Sequence, residues 1–241
     1  MRWSDVLFTL TAASTLGACA TAVPSMSGGA TTPEYRTDLG LGGAARVPLG
    51  DLKGTPDMSA ADDYVNHAEA GGLAPMAFGR YGMGEHWDLG LMVSGTTVRA
   101  EARGEKQLSG GIVRSTLIYG LAPYGGWFPE TEGSGNGGRV GAEVPFVFGA
   151  EVGTAYEVWF GARAGAEYVT GMFELEGVEQ DTHGVGLRVG PVLGMALGIP
   201  RFHVLVELTA AYEHWFIDSA QRSFDRGGFV LIPGFGFRLR L

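Results

Sequence analysis

From Val140 to Val152 the even positions read Val140, Ala142, Val144, Phe146, Phe148, Ala150 and Val152, while the odd positions include Arg139, Glu143 and Glu151. A period of two is the mark of a strand with one apolar face. After Gly153-Thr154 the pattern resumes, with Tyr156, Val158, Phe160, Ala162, Ala164, Ala166 and Tyr168 opposed to Glu157, Arg163 and Glu167. The tight turn between the two runs predicts a hairpin of long strands. The device recurs from His183 to Gly198, turns at Ile199-Pro200-Arg201 and returns from Phe202 to Tyr212. A last strand, Phe229 to Leu241, sets Phe235, Phe237, Leu239 and Leu241 against Arg238 and Arg240.

The amino-terminal half yields to the same test. Leu39, Leu41, Ala45 and Val47 alternate with Arg36, Asp38 and Arg46, which predicts a first strand near 34–49; a second runs near 73–83. From Trp87 the odd positions are apolar, but by Val98, Ala100 and Ala102 the apolar face is even. A strand cannot change faces without a bulge or a turn, so Ser94-Gly95-Thr96 is predicted to reverse the chain. This makes the chain an all-β protein, a closed antiparallel barrel of about ten strands, with eight and twelve as alternatives.

With ten strands the connections sort by length. Those at 84–86, 104–110, 153–155 and 199–201 are short and share a side with the termini; those at 50–72, 124–138, 171–182 and 216–227 are long and lie opposite, with 94–96 the exception. Short turns on one side and long loops on the other is the pattern of transmembrane barrels. Strands with one apolar face also suit a water-soluble barrel of lipocalin type, with the apolar face inward. Strand lengths at or above the roughly 9–11 residues of a membrane crossing favour lipid, as do Trp87, Tyr156, Phe202, Tyr168, Tyr212 and Trp215 near strand ends.

The first residues add an export signal. Arg2 precedes an apolar run from Val6 to Ala18, too short to span a bilayer and of the length of a secretory core. Residues 1–18 are therefore read as a signal peptide, residues 19–33 as a flexible small-residue linker, and residues 34–241 as the barrel. Leu16-Gly17-Ala18-Cys19 resembles the lipobox of bacterial lipoproteins, which makes Cys19, the only cysteine, a candidate lipid anchor. Ala18-Cys19-Ala20 and Ala20-Thr21-Ala22 equally fit ordinary signal peptidase.

Composition narrows the function classes. A net charge of −9, without a basic stripe, excludes a phosphate-neutralising surface, so no nucleic-acid partner is expected. A single cysteine excludes an internal disulfide. The polar face carries Arg36, Arg46, Arg99, Arg103, Arg114, Arg163, Arg188, Arg238 and Arg240 against Asp38, Asp88, Glu101, Glu143, Glu151, Glu157, Glu167, Glu207 and Glu213. Balanced signs suit a paired network in a filled lumen better than a charge-selective pore, and ten strands enclose little free space.

The stretches Arg80-Tyr81-Gly82-Met83-Gly84-Glu85-His86-Trp87-Asp88-Leu89-Gly90-Leu91 and Gly234-Phe235-Gly236-Phe237-Arg238-Leu239-Arg240-Leu241 resemble the Gram-negative outer-membrane β-barrel superfamily. That resemblance implies residence in the outer membrane and a last strand acting as an assembly signal, although this one ends in Leu241 rather than an aromatic residue. Asp181 and His183, spaced to share a strand face, resemble the D-x-H of omptins, ten-stranded outer-membrane proteases. The acidic pair that this family places near its second outer loop has no counterpart at 94–96, and Asp62-Asp63 lies in the first loop. Asp62, Asp63, His67 and Glu69 match no oxygen-ligand spacing for a metal, and His203 and His214 read as strand-face residues.

The expectation is a non-enzymatic outer-membrane barrel with a structural, adhesion or envelope-assembly role, for example in secretion or surface motility machinery. Its partners would be outer-membrane lipid and other envelope proteins, with no cofactor and no metal. A narrow channel for small solutes and an omptin-like protease using Asp181 and His183 are the alternatives.

Overall fold

The structure, a computed structural model, describes residues 23–26, 28–53, 72–128, 136–175, 178–219 and 223–241. The strands are β1 (Thr37–Leu49), β2 (Gly72–Gly84), β3 (Trp87–Ser94), β4 (Thr97–Ser109), β5 (Val113–Phe128), β6 (Gly137–Val152), β7 (Tyr156–Leu175), β8 (Val178–Ile199), β9 (Phe202–Ser219) and β10 (Ser223–Arg240). Each pairs antiparallel with its sequence neighbours, and β1 closes on β10 through pairs such as Leu39 with Leu239 and Leu41 with Phe237. The ten strands therefore form a closed barrel, as the alternation predicted. Ser94-Gly95-Thr96 reverses the chain between β3 and β4, with Ser94 paired to Thr97.

The faces are as read except at Trp215, which sequence sets near the lipid interface but which is 1% exposed and packs inside the barrel, its Nε1 donating to Glu213 at 3.4 Å. Large apolar residues point outward, with Phe160 60% and Leu193 62% exposed, while Arg163 and Glu143, at 1% each, point into the lumen. An apolar exterior around a charged interior is the arrangement that lipid requires and water forbids. Aromatic contacts brace the outer wall, among them an edge-on pair of Trp87 and Tyr119 at 5.8 Å and a stacked pair of Phe202 and Phe237 at 5.7 Å.

Two expected long loops are strand instead. β7 runs to Leu175 and β8 starts at Val178; β9 runs to Ser219 and β10 starts at Ser223, so most of 171–182 and 216–227 is paired wall. Likewise β5 reaches Phe128, and the turn expected at 104–110 is moved to 110–112 because β4 continues to Ser109 past an irregularity at Gln107. The reason is physical. Beyond Tyr168, Val185, Phe216 and Phe229 the outward residues are Thr170, Asp181, His183, Asp218 and Asp225, with Met172 the apolar exception. Above the lipid belt the hydrophobic period stops, but the backbone ladder does not.

The wall is consequently uneven. β7 and β8 have 20 and 22 residues, about twice a membrane crossing, whereas β3 has 8. The barrel is tall on one flank and low at the β3–β4 hairpin. Inside, a buried cluster at the taller end joins Leu52 of the 3₁₀ turn Gly50–Leu52 with Phe128, Val169, Trp215, Ile217, Val230 and Ile232.

Candidate functional site: the lumen and the segment inside it

Alternation places one side chain in two from every strand inside the barrel, and in this chain those side chains are mostly arginines and carboxylates. They pair across the lumen in connected groups. Glu143 of β6 is its hub, accepting from Arg99 Nη1 at 2.8 Å, from Arg188 Nη1 at 3.4 Å and from Arg163. Arg99 and Arg80 each donate to Glu101 at 3.1 Å, and Glu213 accepts from Arg46 at 2.6 Å and Arg188 at 2.9 Å. Nearer the short turns Arg103 holds Asp88, Arg238 holds Glu157, Arg114 bridges Glu105 and Glu151, and Arg240 holds Asp38 at 2.8 and 2.9 Å. Buried charges are tolerable when paired and hydrogen-bonded in this way.

The expected lumen residues lie as predicted with one exception. Arg36 is exposed outside the lumen, because the chain turns there before β1: Tyr35 is left-handed (φ 56°), and Arg36 N–H donates to the Pro33 carbonyl at 3.0 Å. Arg80 and Glu105, absent from the expected lumen residues, belong to the network, while Arg139, read on the polar face of its strand, is buried and donates to Thr97 Oγ1.

The larger correction concerns residues read as a flexible linker. Residues 23–26 and 28–32 run inside the lumen, with Val23, Ser25, Met26, Ala30, Thr31 and Thr32 buried, and Pro33 is exposed where the segment comes out. Their contacts are made chiefly through the backbone. Glu207 Oε1 accepts from the amides of Ser25 at 2.7 Å and Met26 at 2.9 Å, Glu157 from Gly29 at 3.2 Å, Glu105 from Thr31 at 2.8 Å and Asp88 from Thr32 at 2.7 Å. Arg80 donates to the carbonyls of Met26 at 2.7 Å and Ser25 at 2.8 Å, Arg163 to Val23 at 2.8 Å, and Thr116 Oγ1 to Gly29 at 2.6 Å. An unpaired strand has many donors and acceptors to satisfy once out of water. Here the wall's charged side chains satisfy them, which is why the segment sits inside rather than in solvent.

Wall glycines make the room. A Cβ on Gly149 of β6 would stand 1.9 Å from the Gly29 carbonyl oxygen, and one on Gly82 of β2 would stand 2.1 Å from that of Pro33. The segment leaves the lumen beside Gly82, where Glu34 forms an isolated bridge, and enters β1 at the short-turn rim. We call residues 23–33 the plug.

Asp181 and His183 do share a face of β8, as their spacing implied, and both are exposed. That face is the outer one, with Asp218 of β9 opposite His183; the pair is on the far side of the wall from the lumen. His203 is buried inside, its Nε2 2.8 Å from the Thr154 carbonyl, whereas His214 packs against Phe216 on the wall. Cys19, Asp62, Asp63, His67 and Glu69 lie outside the described residues. Among the described residues no group of three or more His, Cys, Asp or Glu side chains is arranged to hold a metal ion.

No protein-family model matches the chain, and no curated protein matches it. Solved structures similar to it include the outer-membrane protease OmpT of Escherichia coli, at 8% identity and a TM-score of 0.46, covering 86% of this chain and 96% of that one. Ail, the attachment invasion locus protein of Yersinia pestis, is similar at 14% identity and a TM-score of 0.32, covering 86% and 99%. Neisserial surface protein A is similar at 13% identity and a TM-score of 0.28, covering 85% and 95%. By its own architecture, with this strand order, an apolar exterior and a charged interior, the chain is a closed antiparallel transmembrane β-barrel.

Proposed function

We propose that the protein is a non-enzymatic, non-conducting outer-membrane barrel with a structural, adhesion or envelope-assembly role. One observation carries the reading: among the described residues a paired charge network and the plug occupy the lumen, while the exterior is apolar. A lumen so occupied suits a closed wall better than a solute path, and β7 and β8, about twice as long as a membrane crossing, present surface outside the membrane. The polar collar of β7 to β10, with Asp181, Asp218 and Asp225 outward, is the surface on which envelope partners would meet it.

The test is fractionation followed by planar-bilayer recording. The protein is expected in the outer-membrane fraction, migrating faster in detergent gels unheated than heated, and silent in the bilayer. Stable single-channel steps would install the narrow channel in its place, and recovery as free periplasmic protein would remove the membrane altogether.

A lipid on Cys19 would add a second attachment to one that the barrel already makes integral. Cys19→Ser is therefore expected to lower the mature mass by the acyl groups and leave the protein membrane-bound. Release into the soluble fraction would show that the lipid, not the wall, holds it.

A further inference from the structure

The contacts to the plug have a feature that ordinary core packing lacks. The groups that hold it are already organised by the wall itself: Glu157 by Arg238, Asp88 by Arg103, Glu105 by Arg114, and Arg80 by Glu101. None of these pairs needs the plug to exist. Wall carboxylates accept from the backbone amides of Ser25, Met26, Gly29, Thr31 and Thr32; hydroxyl bonds are added from Ser25 Oγ to Glu207 at 3.0 Å and from Thr31 Oγ1 to Glu105 at 2.9 Å, and one side chain, Met26, packs in a buried apolar cluster with Met76, Phe78 and Trp159. Apart from the bridge at Glu34, the segment joins no strand. The link from plug to wall, residues 33–36, is exposed at the rim.

We propose that the inner half of the lumen is a peptide-binding site, a seat for an extended, uncharged segment of mostly small residues, recognised chiefly through its main chain and by one apolar side chain at Met26, of which residues 23–33 are the resident occupant. The seat selects by exclusion. Carboxylates and guanidinium groups fill it in pairs, so a charged side chain on the occupant would be buried without a partner. Gly149 and Gly82 bring the wall backbone against the occupant's, so a branched side chain at the Gly29 position collides; its Cβ would already lie 3.2 Å from the Val158 carbonyl oxygen. Covalent attachment keeps the resident segment at high effective concentration, so a free peptide competes only after the link is cut.

The experiment uses the full chain with a specific protease site in place of Glu34-Tyr35-Arg36. Folded protein is cleaved, unfolded in urea, and refolded into detergent with a tenfold excess of a fluorescent peptide of the sequence 23–33. The refolded, heat-modifiable barrel is expected to carry the label at one peptide per barrel. The same peptide with Gly29→Val, or with Ala30→Asp, is expected to be incorporated at least tenfold less. A barrel that refolds without label overturns the proposal, as does failure to refold where the uncleaved control succeeds. Equal incorporation of the Val or Asp peptides would overturn it too, because the seat would then not be reading a close-packed, uncharged backbone.

Discussion

Glu143→Ala is expected to destabilise the barrel by about 3–5 kcal/mol, the cost of leaving buried charge without its counter-charge. Glu143 is 1% exposed and holds Arg99, Arg163 and Arg188 at once. Arg99 keeps Glu101 and Arg188 keeps Glu213, but among the described residues Glu143 is the only carboxylate bridged to Arg163. With it gone, Arg163 retains the Val23 carbonyl and Thr209 Oγ1, neutral acceptors that cannot balance a guanidinium charge. Since whole domains are stable by only about 5–15 kcal/mol, the change is large. Glu143→Gln keeps the shape and loses the charge, and should fall between the two. The urea midpoint in micelles, followed by tryptophan fluorescence, reads the loss; an unchanged midpoint for Glu143→Ala would mean that the network does not depend on its hub.

Gly149→Leu is expected to expel the plug. The new side chain would need space held by the carbonyl oxygen, carbonyl carbon and Cα of Gly29, at 1.9, 2.5 and 2.8 Å from its Cβ, all backbone atoms that cannot swing aside. Displacing Gly29 takes its carbonyl from Thr116 and its amide from Glu157. Orphaning two buried groups costs about 1–3 kcal/mol each, enough to raise the exposed population of the plug about 100-fold at roughly 1.4 kcal/mol per tenfold. A reporter cysteine at the buried Met26, in a Cys19→Ser background, should react with a soluble maleimide about 100-fold faster in Gly149→Leu than in the parent. Gly84→Ala, where a Cβ meets nothing within 4 Å, should leave the rate unchanged. Equal rates in Gly149→Leu and the parent would place the plug elsewhere.

Where the chain is in contact with lipid, its fold is legible in sequence, because lipid outside and charge inside imprint opposite chemistry on alternate residues. Val144, Phe146 and Phe148 against Glu143 and Glu151 suffice to orient β6, and the switch of apolar phase between Val93 and Val98 suffices to place a hairpin turn with only Gly95-Thr96 between strands. Above the lipid the outward residues turn polar while inward ones such as Val169 and Ile217 are apolar, so the extensions of β7 to β10 lose the apolar-outside imprint and read as loops. The plug is invisible for a third reason. A segment bound by its backbone needs no pattern in its side chains, so Gly28, Gly29, Thr31 and Thr32 look the same whether tethering in water or lodged in a lumen. The available signal lies in the partner strands, where Gly82 and Gly149 occupy positions on the charged face that alternation would assign to polar side chains.

The order of the chain gives the plug a part in assembly. Nine of the ten strand pairings are hairpins between sequence neighbours, which form early because little loop entropy opposes them. The tenth joins Asp38 to Arg240, 202 residues apart, and the plug's bonds are comparably remote, with Ser25 and Glu207 separated by 182. Both belong to the same stretch of chain, since residues 23–33 lead directly into β1. The curled sheet from β1 to β10 can thus be complete while its bore is still unsealed, and the strand whose second edge shuts the ring on β10 carries the filling at its head. Closure and sealing become a single late event, and the protein finishes its wall and its interior together.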